Sequence, residues 1–259
     1  MSKLLASLMI FGLLGGCIVP QPPGNGQLLH MQEPITNGWF WLYLPEDYSN
    51  DQLWPAVVSF HGMKPFDNAK AQAKEWQQEA DRYGFVIIAP ELVSCSLLAP
   101  FPIHTVHPGV ERDVRLTIAV LDMVAMQVVI DPNAVLSTSW SSGGYLAHYI
   151  VNKHPDRFSC IGVRQSNFSA SLLDPSRVPL YRDYRIGIFY TENDFAICRR
   201  ESREAIRWYN RHGFNVSSAV FKNLGHERRP SIAANFFAGV CGVTAKTPPI
   251  ELSRMRVKD

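Results

Sequence analysis

The 259-residue chain lacks a strong net charge of either sign: 25 Lys+Arg stand against 23 Asp+Glu, a formal +2, with no basic run. That balance argues against nucleic acid as a partner, because phosphate binding needs a clustered basic surface. Glycine and proline, 17 and 18 residues, follow no period, which excludes collagen-like and low-complexity architectures. No internal repeat recurs. No apolar run reaches the roughly 20 residues that a membrane-spanning helix needs. The five cysteines include no Cys-x-x-Cys pair, so neither a zinc cluster nor a dithiol redox motif is written into the chain. What remains is 46% hydrophobic and 19% charged, ample for one large globular core.

The concentrated apolar stretch lies at the front. Lys3 precedes Leu4 to Leu14, and small residues follow, the layout of a secretory signal. Leu14-Gly15-Gly16-Cys17 resembles the bacterial lipobox, in which cleavage before the cysteine leaves it as a lipid-bearing N-terminus. The resemblance implies a signal peptide over residues 1–16 and membrane attachment through a lipid on Cys17. Ile18 to Gln27 reads IVPQPPGNGQ, whose prolines and glycines suit neither a helix nor a central strand. Residues 17–30 are therefore expected to form a tether, and residues 31–259 the folded domain. Ile18 rather than Asp follows the cysteine, which by the rules of that signal class points to the outer membrane or outer surface of a bacterial cell envelope. Export would leave Cys95, Cys160, Cys198 and Cys241 in an oxidising compartment, where two disulfides are expected and three connectivities are open.

From residue 39 onward, strand and helix signals alternate. Trp39 to Pro45 is an aromatic-rich strand, and Ala56-Val-Val-Ser-Phe60 is a short buried one closed by His61-Gly62. Asn68 to Tyr83 puts Trp76, Ala80 and Tyr83 on one helical face and stops at Gly84. Strand Phe85–Ala89 ends at Pro90, helix Glu111–Val128 follows, and strand Ala134–Thr138 runs into a Ser/Gly turn and a helix from Gly143 to Lys153. Strands at Phe158–Val163, Ile186–Tyr190 and Val216–Phe221, with helices at Arg199–His212 and Ser231–Val240, complete the pattern. Apolar strands alternating with helices predict a mostly parallel central sheet covered on both faces by helices. The short segment between the Phe158 and Ile186 strands leaves no room for a large lid domain.

The turn at residues 139–144 reads Ser-Trp-Ser-Ser-Gly-Gly. It matches the Gly-x-Ser-x-Gly strand–turn–helix elbow, except that Ser139 takes the first glycine position. Small residues are needed on either side of the central serine because the turn is sharp and its backbone passes close to a neighbour. Ser141 would be the exposed nucleophile, with the positive end of the following helix behind it. An acid and a base should follow in that order. Asp194 lies just past the Ile186–Tyr190 strand, with Glu192 as its rival, and Gly225-His226-Glu227 lies just past the Val216–Phe221 strand. An acyl-transfer site also needs two backbone donors for the oxyanion. Those expected are the N–H of Ser142 and, from the loop after Phe60, that of Met63.

With these motifs in place, the chain resembles the α/β-hydrolase superfamily over roughly residues 38–240, and is most similar to exported esterases of the polyhydroxybutyrate depolymerase and feruloyl or acetylxylan esterase group. The resemblance rests on Leu44-Pro45…Tyr48, Phe60-His61-Gly62, Ala80–Phe85 with Ala89-Pro-Glu91, Asp113-Val114, Ile130–Asn133 leading into the elbow, Asp194 and Gly225-His226-Glu227. Members of that group usually carry Gly-x-Ser-Ala-Gly-Gly at the elbow. It implies an α/β-hydrolase fold and a serine esterase in which His226 takes the Ser141 proton and Asp194 fixes the imidazole. His61 and Trp140 become candidate substrate contacts. Sorting the cysteines by sheet end on that topology favours Cys95–Cys198 and Cys160–Cys241.

The resulting expectation is a lipid-anchored carboxylic ester hydrolase without metal or organic cofactor, acting on a small-molecule ester, a polyester oligomer or an acylated carbohydrate. A peptidase of the same fold and a non-catalytic binding lipoprotein are the alternatives. His104, His107, His148, His154 and His212 lack paired ligand spacing and are expected to be surface or structural.

Overall fold

In the computed structural model, residues 24–246 are described. Residues 1–23, including Cys17 and the signal segment, lie outside them. Among the described residues no helix is long and apolar enough to cross a membrane.

The elements run in chain order β1 (Leu28–Glu33), β2 (Gly38–Tyr43), β3 (Trp54–Phe60), α1 (Ala69–Tyr83), β4 (Val86–Pro90), α2 (Pro108–Ala125), β5 (Ile130–Ser141), α3 (Gly143–Lys153), β6 (Cys160–Ser166), β7 (Arg185–Thr191), α4 (Ala196–Arg211), β8 (Asn215–Phe221) and α5 (Pro230–Cys241). They build one eight-stranded sheet of order β1-β2-β4-β3-β5-β6-β7-β8. The first two strands are antiparallel and the other six run parallel. The sheet is mostly parallel, as the alternating pattern predicts. Between β6 and β7 the chain makes only short 3-10 turns at Ala170–Leu172 and Pro175–Leu180, without a lid domain.

Strand side chains alternate between the two faces, and so do the cores. Val58 of β3, Ile88 of β4 and Val135 of β5 pack with Val114 and Val120 of α2, Leu146 and Ile150 of α3, and Tyr209 of α4. Their neighbours Val57, Ile87 and Leu136 face the other way, toward Trp76 and Ala80 of α1 and Phe237 of α5. This two-residue period is what places three helices on one face and two on the other. The helix ends obey local chemistry. Asn68 caps α1 by accepting the Ala71 N–H at 2.9 Å. Gly84 closes it in the left-handed region at φ 76°.

One strand departs from the expectation. Leu28 to His30, assigned by composition to the tether, are the first half of β1 and pair with Tyr43, Leu42 and Trp41. β1 is an edge strand whose side chains are mostly half-buried or exposed, so it carries little of the apolar signal that marks the inner strands.

The core also holds a titratable group. His148 of α3 is buried, with Nδ1 hydrogen-bonded to the Tyr209 hydroxyl at 2.8 Å. Burial pushes its pKa down to about 3. The folded state therefore keeps this ring neutral while an unfolded chain protonates it below about pH 6.5. Acid thus favours unfolding through this residue, by about 1.4 kcal/mol per pH unit between that value and the folded pKa. His148→Gln, which lacks the titration, should lose stability less steeply than wild type between pH 6 and pH 4 in urea unfolding.

Candidate active site

Ser141 ends β5 and turns the chain into α3 with its backbone at φ 57°. A non-glycine residue seldom adopts that left-handed conformation, which costs on the order of 1–3 kcal/mol and survives only where the surroundings enforce it. The enforcing contacts are close. Asn167 donates its N–H to the Ser141 carbonyl at 3.0 Å. A Cβ on Gly143 would stand 2.5 Å from the Phe60 carbonyl oxygen, and one on Gly144 would collide with the Asn167 carbonyl. Both glycines are therefore sterically required. At the first glycine position, Ser139 fits because its hydroxyl is buried and bonded to that of Ser166 at 2.8 Å.

His226, in the loop after β8, and Asp194, in the loop after β7, meet. The imidazole Nδ1 donates to Asp194 Oδ1 at 2.6 Å, and the carboxylate side chain is wholly enclosed. The same oxygen accepts the Phe195 N–H at 2.7 Å. Glu192, the rival acid, is exposed. The His226 ring stacks on Trp140, with centroids 4.4 Å apart, and is flanked by Phe195 at 4.7 Å. It thus packs on the residue preceding Ser141. Among the described residues no hydrogen bond joins Ser141 Oγ to the ring; such bonds are often long in substrate-free sites.

Four further side chains hold this geometry. Gln165, itself at φ 47° at the end of β6, accepts the Trp140 indole N–H at 3.2 Å and donates to the Gly225 carbonyl at 3.2 Å. Thr191 donates to that same carbonyl at 2.9 Å. Arg228, two residues past His226, lies over the Trp140 ring at 4.9 Å and donates to Asp67 Oδ1 at 2.6 Å. Asp67 Oδ2 in turn accepts the Gly62 N–H at 2.6 Å and the Gln72 side chain at 2.9 Å. One buried carboxylate thus ties the histidine loop to the His61-Gly62-Met63 loop. No sequence motif marks Gln165, Thr191, Asp67 or Arg228, because the contacts that join them to the histidine loop are remote in the chain.

Gly62 packs against the elbow, since a Cβ there would stand 3.0 Å from the Trp140 ring and 3.1 Å from Ser141 Cβ. The next residue is Met63. Among the described residues, neither the Met63 nor the Ser142 backbone N–H has a hydrogen-bond acceptor. His61 differs from expectation. It is fully buried, Nδ1 donates to the Gly62 carbonyl at 2.6 Å, and Nε2 accepts the Leu92 N–H at 3.0 Å. Burial pushes its pKa down to about 4. With both ring nitrogens occupied, His61 braces the loop and has no face for substrate. Trp140 is 8% exposed, its ring covered by His226 and Arg228, so it supports the imidazole more than it walls a pocket.

The cysteines require a second correction. Cys95, Cys160, Cys198 and Cys241 are free thiols, and neither expected disulfide is present. The thiols have other neighbours: Cys198 Sγ donates to Asn167 Oδ1 at 3.9 Å, and Cys160 Sγ accepts from the Ser159 hydroxyl at 3.9 Å. Burial pushes the Cys95 and Cys241 thiols up to about 12. Of the histidines set aside, His107 caps α2 through the Gly109 N–H at 3.2 Å, His212 bonds the Trp208 carbonyl at 2.8 Å, and His104 meets Ser169 at 3.3 Å.

Phe66, Leu97, Leu98, Phe101 and Phe195 are exposed on loops that follow β3, β4 and β7. These loops leave the sheet at the end where Ser141 lies. The Lys64 N–H joins the first of them to the second by bonding the Cys95 carbonyl at 2.8 Å.

Comparison with known proteins agrees with this architecture. Residues 111–177, which span most of α2 and all of β5, the elbow, α3 and β6, match the Prolyl oligopeptidase family. No curated protein sequence matches the chain. Among solved structures, the chain is similar to a ferulic acid esterase from Anaeromyces mucronatus, at 15% identity and a TM-score of 0.59, covering 82% of this chain and 87% of that one. It is also similar to an esterase from Rhizomucor miehei, at 12% identity and a TM-score of 0.62, covering 87% and 85%. An S-formylglutathione hydrolase from Agrobacterium tumefaciens aligns at 13% identity and a TM-score of 0.58, covering 83% and 92%. At these identities the likeness concerns the fold, and the chain has the α/β-hydrolase fold.

Proposed function

We propose that the protein is a serine hydrolase that cleaves carboxylic esters through an acyl-enzyme. The observation that carries this reading is the His226–Asp194 pair at 2.6 Å, stacked on the residue that precedes a serine at φ 57°. With Nδ1–H donated to Asp194, the ring's free lone pair is on Nε2, the atom that would take the Ser141 proton as Oγ attacks the ester carbonyl. The negative charge formed on the carbonyl oxygen would be received by the N–H groups of Met63 and Ser142, each donor being worth about 2.7–4 kcal/mol in such sites. The imidazolium then protonates the departing alcohol. Water repeats the sequence on the acyl-serine and restores the enzyme.

The exposed Phe66, Leu97, Leu98, Phe101 and Phe195 favour an ester with an apolar or aromatic part. Small acyl esters, polyester oligomers and acylated carbohydrates are the substrate classes in view. A peptidase is the second reading, favoured by the family match over residues 111–177, since the same three side chains serve amides. Residues 1–17 support export and lipid attachment at Cys17, to the outer membrane or surface of a bacterial envelope. Palmitate fed to a bacterial host expressing the full chain should label the protein, and Cys17→Ala should abolish the labelling.

A fluorophosphonate probe should label intact protein, and Ser141→Ala should remove the labelling and lower ester turnover by about 10⁴-fold or more. Labelling of neither protein would favour a non-catalytic binder. A panel of aryl esters of increasing chain length, feruloyl and acetylated sugars, and aminoacyl amides separates esterase from peptidase.

Arg228 makes a distinct claim on the same chemistry. Arg228→Ala should lower kcat about tenfold with KM little changed, because both catalytic loops lose their common anchor. Arg228→Lys should recover part of the loss, as its amine can reach Asp67 but cannot also stack broadly on Trp140.

A further inference from the structure

Cys198, in the first turn of α4, lies beside the paired acid and base. Its Sγ, a carboxylate oxygen of Asp194 and a ring nitrogen of His226 fall within 4.8 Å of one another. The carboxylate is used on one side only. Asp194 Oδ1 takes the bonds from His226 and Phe195, whereas Oδ2 is buried and has no hydrogen-bond partner among the described residues. An enclosed, unpartnered carboxylate oxygen is costly, and here it belongs to a residue whose neighbours are a thiol and an imidazole.

Sulfur, nitrogen and oxygen donors together suit a borderline-soft divalent ion. Charge favours the same ion: a thiolate and a carboxylate balance two positive charges, and the neutral imidazole adds none. A tetrahedral site, with bonds of about 2.0–2.3 Å, sets its donors roughly 3.3–3.8 Å apart. The three groups need only modest adjustment to reach that spacing. The His226 side chain, 11% exposed, is the way in.

We propose that Asp194, Cys198 and His226 form a three-donor site for a zinc-class divalent ion, and that filling it switches off hydrolysis. The inhibitory consequence rests on the function proposed above, whereas binding itself does not. On binding, the Cys198 S–H bond breaks, its proton passes to water, and the sulfur pair bonds the ion. The carboxylate oxygen and the ring nitrogen each contribute a lone pair, and nothing is oxidised or reduced. If Nδ1 bonds the ion, the ring proton resides on Nε2; if Nε2 bonds it, that lone pair is consumed. In either case the ring has no pair left for the Ser141 proton.

Cadmium titration of the full chain tests this. Wild type should bind one ion per chain with a thiolate-to-cadmium charge-transfer band, and ester turnover should fall over the same concentration range and return with a chelator. Cys198→Ser should lose the band and weaken binding by at least about tenfold, while the Cys160→Ser, Cys241→Ser double variant keeps both. X-ray absorption on zinc-loaded wild type should find a single sulfur neighbour, a readout that needs no variant to fold. A sulfur-free shell, or binding unchanged in Cys198→Ser, would overturn the site. A band that vanishes in Cys198→Ser in a protein that cleaves no ester would sustain the site and defeat the ester reading instead.

Discussion

The left-handed backbone at Ser141 is the constraint around which the rest of the site is arranged. A strand of the buried sheet has to stop, reverse and enter a helix within one residue, and only close packing can hold a side-chain-bearing residue there. The Asn167 N–H grips the serine carbonyl, and Gly143 and Gly144 let the helix start press against the Phe60 and Asn167 carbonyls. Strain at this position is retained because relaxing it would separate the end of β5 from its neighbours on both sides. In exchange, the hydroxyl stands at the C-terminal end of a central strand with the helix dipole behind it.

The two loops that supply the carboxylate and the imidazole are held by polar contacts. The Gly225 carbonyl receives Gln165 from β6 and Thr191 from β7, so the histidine loop is pinned to the ends of two adjacent strands. Trp140 is the common surface: one face of the elbow's own side chain carries the imidazole, and Arg228 lies over the same ring system. Misplacing any of these pieces would move the imidazole relative to the serine, the spacing on which the proposed proton transfer depends.

Much of this architecture was legible in the chain because it depends on local pattern. Val57, Ile87 and Leu136 lie within apolar runs bounded by turn residues, and Asn68 and Gly84 announce the two ends of α1. Ser141, Asp194 and His226 could be singled out because each follows a strand-like run, and the structure does bring Asp194 and His226 into contact. β1 escaped because LLHMQE is an edge strand with little apolar demand. The supporting residues escaped for a different reason. Asp67, Gln165 and Arg228 are ordinary polar side chains until folding sets them against partners as much as 162 positions away. A His-Gly at a strand end advertises a site, whereas the His61 ring turns inward to satisfy the Leu92 amide. Compartment and parity suggest paired cysteines, but neither specifies distance.

The Arg228–Asp67 pair has a bearing on the surroundings in which the protein can work. Its carboxylate has no exposed side-chain surface, and mobile ions screen enclosed charges far less than surface ones. Although the Arg228 side chain is 33% exposed, salt therefore loosens this clasp between the two loops less than it would an ion pair lying wholly on the surface.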